Sequence, residues 1–183
     1  ARPPRVLLAA ILLLAAAGDS AGEEPADDKT VRPSFETLNG IRDDEFSWSA
    51  FAEFVNILKG LTRTEADRLA DPEASFANLT ARPAAFRGKF ARAEGVLKMV
   101  EPFDPSTEAA GLPPMWRGVI YHNARKEFYY FYALECPPAY RFGQDLVACT
   151  GLFYHLESCE DPMMKGRRVP VLVARDFQVL SGG

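Results

Sequence analysis

Cysteine and histidine are scarce in this sequence, with 3 cysteines and 2 histidines among 183 residues. Three cysteines are too few for a small disulfide-dense scaffold. Neither residue type recurs at the short spacings of zinc ligands, because no H-x-H, H-E-x-x-H or C-x-x-C occurs. We therefore predict no metal site, no cofactor and no catalytic residue.

Long apolar runs and a basic excess are also missing. The longest apolar run, residues 6–17, has twelve residues, and a spanning helix needs about 20. Lys and Arg number 21 against 25 Asp and Glu, for a formal charge of −4. Neither a Gly-rich phosphate loop nor a G-x-S-x-G elbow is present. These absences exclude a polytopic membrane protein and a strongly basic nucleic-acid binder.

The first 17 residues have the pattern of a secretory signal. Arg2 and Arg5 precede the apolar run, and Ala15, Ala16 and Ala17 supply the small side chains that a signal peptidase needs. We predict cleavage after Ala17 and an exported protein, periplasmic or secreted. An uncleaved N-terminal anchor is the alternative, and it is the one route by which we expect contact with a membrane.

Residues 18–45 carry most of the acidity of the sequence. This segment has nine acidic and three basic residues, a charge of −6, whereas residues 46–183 have 16 of each. It is polar and poor in large apolar groups, so we predict an acidic, disordered linker.

Residues 46–72 are predicted to form a helical lead-in that packs on the domain that follows. Phe51, Phe54 and Leu58 recur at helical spacing and indicate an amphipathic helix over residues 47–59. A second short helix is predicted over residues 62–70, before Pro72.

From residue 86 the pattern changes to strands. Five are predicted, at residues 90–100, 115–122, 128–134, 146–156 and 169–180. Gly95 and Gly151 lie inside two of them, at plausible corners. The fold class is therefore mainly β, a five-stranded antiparallel barrel of the OB type over residues 86–180. An open antiparallel sheet packed on the helices and an SH3-like barrel are the alternatives.

Three stretches carry a resemblance to a known family. RGKFARAEGV at residues 87–96 and QDLVACTGLF at residues 144–153 resemble strands of OB-like domains of the tRNA-anticodon-binding-like type. RVPVLVA at residues 168–174 is similar to the ending of uncharacterised exported proteins of planctomycete-type bacteria. The resemblance implies an OB-like fold, and it implies nucleic acid only by ancestry. We expect no nucleic-acid partner, because no basic groove is apparent.

The aromatic run at residues 128–132 (FYYFY) is the sharpest local feature. Alternation along a strand places Tyr129 and Phe131 on one face, where we predict that they bind a ligand. The alternative is that the N-terminal helix covers the aromatic face. A second candidate surface is basic and consists of Arg141, Lys165, Arg167 and Arg168.

Cys136 and Cys159 are the candidates for a disulfide, and Cys149 is predicted to be buried. From these features we expect an exported, non-enzymatic binding module whose partner is an envelope protein or surface component. The alternative is a metal-dependent or cysteine-dependent envelope enzyme or accessory protein that uses His155 and Cys159.

Overall fold

A computed structural model of the protein describes residues 46–107, 109–159 and 165–181. The predicted signal segment, residues 1–17, and the predicted acidic linker, residues 18–45, lie outside these described residues. Within the described ranges, every helix is too short or too polar to cross a membrane.

In the described part of the chain, four helices precede the strands. Helix α1 is Trp48–Lys59, and it begins where the Ser47 side chain accepts a hydrogen bond from the Ala50 backbone N–H. Helix α2 is Arg63–Leu69, and it opens with a capping box. The two short helices α3, Phe76–Ala81, and α4, Pro83–Phe86, were not predicted.

The rest of the described chain forms one six-stranded sheet. Its strands are β1 Phe90–Phe103, β2 Met115–His122, β3 Glu127–Ala133, β4 Leu146–Ser158, β5 Arg168–Ala174 and β6 Gln178–Ser181. They lie in the order β1-β2-β3-β5-β4-β6, and β1 pairs with β4 as well as with β2. The sheet therefore closes in a ring, and the prediction of a mainly β fold preceded by helices is confirmed.

Two details of the predicted sheet are wrong. The sheet is mixed, because β3 and β5 run parallel. Two antiparallel pairings lead from β1 to β3 through β2, and two lead from β1 to β5 through β4, so β3 and β5 both run in the direction of β1. The last predicted strand, residues 169–180, is two strands, because the chain turns after Ala174 and β6 then pairs with β4.

The ring closes because β1 changes partners along its length. Val96 is the switch point, since it pairs with Leu146 of β4 and also with Tyr121 of β2. At the neighbouring Gly95, a Cβ atom would lie 2.6 Å from the Tyr121 carbonyl oxygen. A glycine is needed there so that the backbone of β2 can approach β1.

β4 changes partners in the same way. Gly151 pairs with Ala91 of β1 and with Ala174 of β5. A Cβ atom at Gly151 would lie 2.5 Å from the Val173 carbonyl oxygen. Both glycines therefore lie where one strand passes from one neighbour to another.

Two hydrophobic cores result. The inner core lies inside the ring and takes side chains from all five ring strands, among them Leu97, Ile120, Phe131, Phe153 and Leu172. The outer core lies between α1 and the outer face of the ring. It includes Phe51, Phe54, Leu58, Tyr154, Val171 and Val173. The apolar stripe predicted for the first helix is thus buried against the sheet.

We predict that Gly151→Ala lowers the free energy of unfolding by about 2 kcal/mol. The added methyl group meets backbone atoms of Val173, which cannot move without disturbing the pairing of β4 with β5. Urea denaturation followed by circular dichroism measures the change. Gly60→Ala is the control, because its Cβ atom would lie at an ordinary 3.5 Å from the Ile57 carbonyl oxygen. Equal unfolding midpoints for the two variants would contradict the prediction.

Candidate binding cleft on the outer face of the sheet

A cleft of about 330 Å³ lies on the outer face of β1, β2 and β3. Nine residues line it: Met99, Glu101, Arg117, Gly118, Val119, Tyr130, Phe131, Tyr132 and Glu157. Its walls combine apolar surface, phenol rings and three charged side chains. We call it the β1–β3 cleft.

On two of the three strands, simple alternation directs the side chains that line the cleft outward. On β2, Ile120 is in the inner core, so Arg117 and Val119 point outward. On β3, Phe131 is in the inner core, so Tyr130 and Tyr132 point outward.

On the third strand, β1, simple alternation does not direct the lining side chains into the cleft, and an irregularity in the strand does so. Leu97 is fully buried in the inner core, and by simple alternation Met99 would also point inward. A register shift between Leu97 and Met99 in the β1–β2 pairing reverses this. Val100 then points inward, and Met99 and Glu101 line the cleft.

Aromatic contacts with α1 form one side of the cleft. The Tyr132 ring lies 5.2 Å from that of Phe51 and 5.0 Å from that of Phe103. Phe103 in turn stacks on Trp48 at 6.4 Å. Burial raises the pKa of Tyr132 to about 12, and the nearby Glu157 carboxylate acts in the same direction. The alternative prediction was that the N-terminal helix covers the aromatic face, and α1 contacts that face at Tyr132.

The loop between β4 and β5 begins beside the cleft. The Tyr130 hydroxyl donates to the Cys159 Sγ at 3.4 Å. The Cys159 backbone N–H donates to the Arg167 carbonyl oxygen at 2.8 Å. These two contacts place Arg167 near the Tyr130 end of the cleft, and we call Lys165, Arg167 and Arg168 the basic loop.

The charged groups of the cleft are two carboxylates and one guanidinium. Arg117 pairs with Glu101 at 2.6 Å, and both side chains are about half exposed. The guanidinium also lies 6.0 Å from the centre of the Phe103 ring. Glu157 supplies the second carboxylate. The lining therefore has a formal charge of −1, and the exposed cations of the basic loop follow beside its Tyr130 end.

The structure corrects the prediction that Tyr129 and Phe131 form an exposed binding face. Tyr129 is 4% exposed and Phe131 is 1% exposed, and both belong to the inner core. Desolvation raises the pKa of the Tyr129 hydroxyl accordingly. The sequence predicted the alternation of rings on β3, but the outward rings at the cleft are those of Tyr130 and Tyr132, and Phe131 borders the cleft while belonging to the inner core.

The basic candidates do not form one surface. Arg141 pairs with Asp145 at 3.0 Å, just before β4 begins. Arg168 pairs in the sheet with Ser158, at the other end of that 13-residue strand. Lys165 and Arg167 are exposed in the segment that leads into β5, which Arg168 begins. This segment is near the cleft, and Arg141 is not.

Of the nine residues that line the cleft, only Phe131 was predicted as a site residue. No sequence pattern marks the register shift in β1 that turns Met99 and Glu101 outward. The pairing of Arg117 with Glu101 depends on the contact between β1 and β2. These residues are brought together by the sheet and not by any local motif.

The structure also corrects the predicted disulfide, because Cys136, Cys149 and Cys159 are all free thiols. Cys136 packs at the edge of the inner core, whereas Cys159 contacts Tyr130 on the outer face. Tyr130 lies in β3, whereas Cys136 lies three residues beyond the end of that strand. Cys149 is fully buried, as predicted.

We predict that three thiols react with a chromogenic thiol reagent in denaturant without any reductant. In the folded protein Cys136 should react first, because Cys149 and Cys159 are buried. It should still react slowly, because burial raises the pKa of its thiol. Cys136→Ser should remove the fastest-reacting thiol. A single reactive thiol in denaturant would show that a disulfide forms after all.

His155 lies in a bulge of β4 and is 4% exposed. Its ring lies 5.7 Å from that of Phe46 and 4.5 Å from that of Tyr154. The Nδ1 atom is buried and has no hydrogen-bond partner in the described part of the chain. Burial, together with the positive charges of Arg87 and Arg168, lowers the pKa of His155 to about 4.

The predicted alternative site is therefore not assembled by the described residues. The ring contacts of His155 are with Phe46 and Tyr154, and the thiol of Cys159 contacts Tyr130. Among the residues that the structure describes, no group of three or more potential metal ligands occurs together.

We predict that the free energy of unfolding falls as the pH is lowered from about 6.5 to about 4, by up to about 3 kcal/mol from His155 alone. The unfolded chain takes up a proton on this histidine in that range, and the folded chain does not. His155→Leu should remove this part of the pH dependence. Urea denaturation of both proteins at pH 7, 6, 5 and 4.5 measures it. Identical slopes against pH for the two proteins would contradict the prediction.

Comparisons with known proteins assign no family. No protein-family model and no curated protein matches the chain. Among solved structures, the chain is similar to an aspartyl-tRNA synthetase from Entamoeba histolytica, with a TM-score of 0.31 and 12% identity over 70% of this chain and 23% of that one. The chain thus spans about a quarter of the length of that protein. At this score the likeness identifies neither a family nor a function.

Proposed function

We propose that the protein is an exported, non-enzymatic binding module with an OB-like barrel, and that its ligand occupies the β1–β3 cleft. The partner would be a protein or a surface component of the cell envelope. The cleft itself carries the proposal, because it is open, of ligand size and lined by side chains suited to binding.

The strand arrangement supports the OB-like assignment. Strands β1 to β5 form a ring, and the long bent β1 pairs with strands on both sides of the closure. Five-stranded Greek-key barrels of the OB type have this character, and they bind ligands on the face of strands 2 and 3. The loops after strands 1 and 4 flank that face. The cleft lies on the same face, and the basic loop after β4 begins beside it.

The shape and lining of the cleft support binding. Its volume of about 330 Å³ falls within the range of roughly 300–1,000 Å³ typical of ligand pockets. Met99 and Val119 offer apolar contact, and Tyr130 and Tyr132 offer both ring surface and hydroxyl groups. Tyrosine and arginine are enriched where proteins bind one another.

Binding is preferred to the enzymatic alternative because of where the titratable groups lie. An envelope enzyme that uses His155 and Cys159 needs both groups to reach a substrate. His155 is buried among rings, and Cys159 is 4% exposed. The open cleft does not contain the side chain of either one.

We predict that a photo-reactive amino acid at position 99 captures the ligand, because Met99 lines the cleft and is 38% exposed. The same amino acid at position 146 is the control, since Leu146 is 39% exposed but lies outside the cleft. Both variants would be produced in the native host, irradiated and analysed by mass spectrometry.

A cross-linked species from position 99 that is absent from position 146 would support the proposal. Cross-linking of equal strength at both positions would show non-specific contact, and no product at either would show an empty cleft. Either result would contradict the proposed function.

A further inference from the structure

We infer that the β1–β3 cleft binds an uncharged, polyhydroxylated chain, that is, a short stretch of a neutral glycan of the cell envelope. This inference rests on the proposed function, because it names the ligand class of the same site. The balance of charge around the cleft, its hydrogen-bonding groups and the apolar surface between them support it.

The charges around the cleft cancel. In the lining, Arg117 pairs with Glu101 at 2.6 Å. The third charged residue of the lining, Glu157, opens a stretch of chain, residues 157–168, that has three acidic and three basic residues, so its formal charge is zero. A ligand with a regular series of like charges, such as a nucleic acid or a polybasic peptide, would gain little net attraction here. An uncharged ligand fits this balance.

The ion pair of the cleft offers a donor and an acceptor side by side. The Nε and Nη2 atoms of Arg117 both contact one oxygen of Glu101, Oε1. Within the described part of the chain, the Nη1 group and the second oxygen, Oε2, have no further hydrogen-bond partner, and both side chains are about half exposed. Two neighbouring hydroxyl groups of a sugar ring match this pair, because each hydroxyl both donates and accepts. One accepts from Arg117 and the other donates to Glu101, so the pair stays intact.

The Tyr132 hydroxyl is a further polar group in the lining. Burial raises its pKa, the Glu157 carboxylate raises it as well and the Arg117 guanidinium lowers it, so the hydroxyl lies near charges of both signs. Among the described residues it has no hydrogen-bond partner, and it is not sealed from solvent. A hydrocarbon ligand would leave this group unsatisfied, whereas a ligand hydroxyl would pair with it.

The apolar surface of the cleft suits the C–H face of a sugar ring. Met99 and Val119 line the cleft from β1 and β2, and two tyrosine rings line it from β3. The Phe131 ring occupies the space that a side chain at Gly118 would take, and it borders the cleft from below. Aromatic and apolar groups thus lie between the polar ones, and a pyranose carries both kinds of surface.

A peptide strand gains no backbone pairing on this face. Over the cleft, β2 pairs with β1 on one side and with β3 on the other, and β3 pairs in turn with β5. Their N–H and C=O groups are used within the sheet, so an extended peptide cannot add a strand there. The ligand is therefore held by the side chains of the cleft alone.

The test uses the full chain and three neutral hexasaccharides that differ in linkage and substituents, namely cellohexaose, maltohexaose and N-acetylchitohexaose. Isothermal titration calorimetry measures their binding at low and at high salt. At least one of them should bind, and its affinity should change by less than about twofold between the two conditions, because binding neutralises no charge. Hexathymidylate and a hexalysine peptide should bind more weakly than that hexasaccharide.

Two matched variants locate the site. Tyr132→Phe removes the hydroxyl but keeps the ring that contacts Phe51, so it should weaken binding about fivefold without disturbing the fold. Tyr121→Phe should have no effect, because Tyr121 lies on β2 but outside the cleft. Equal affinities in the two variants would place the saccharide elsewhere and overturn the inference.

The species captured in the host separates this inference from the proposed function. A species captured at position 99 that stains for carbohydrate after periodate oxidation would support the glycan. A captured protein without carbohydrate would overturn the glycan and leave the binding cleft standing. The same conclusion follows if a charged probe binds more tightly than every hexasaccharide and is blocked by Met99→Arg but not by Leu146→Arg. If no probe binds and nothing is captured, both are overturned.

Discussion

The bend of β1 is the constraint on which the rest of the structure depends. One strand of 14 residues serves two neighbours, β4 along its first half and β2 along its second. Gly95 lets the backbone of β2 come close at the point of change, because no Cβ atom stands in the way. Without this change of partner the sheet would stay open, and the inner core would have no enclosed space to fill.

The register shift that follows the bend decides what the outer surface can do. It keeps Leu97 and Val100 in the inner core and turns Met99 and Glu101 outward. A regular strand would have placed one of the two apolar residues on the surface. The same irregularity therefore completes the core and supplies one wall of the cleft, which is a common role of β-bulges beside functional sites.

The elements that depend on local pattern could be predicted from the sequence. Phe51, Phe54 and Leu58 mark α1 because helical spacing is a local property. Alternation and turn residues marked the positions of β1 to β5, but they did not indicate the number of strands, because the last predicted strand ran on over β6. The parallel pairing of β3 with β5 could not be predicted, because it depends on which strands become neighbours, and alternation says nothing about that. The same limit applies to Tyr129 and Phe131. Alternation separated the two faces of β3, but only the closed ring shows which face is inside.

The outer face of the ring is divided between α1 and the cleft, and the division follows from residue size and charge. Over β4 and β5 the outward residues are Leu152, Tyr154, Val171 and Val173, which form an apolar surface that α1 covers. Over β1 and β2 they include Glu101 and Arg117, and a helix packed there would bury an ion pair at a large desolvation cost. The surface that α1 covers therefore ends at Tyr132, whose ring contacts Phe51 and Phe103. The uncovered part of the face is the cleft, so the charges that keep α1 away are also the ones that a ligand would have to match.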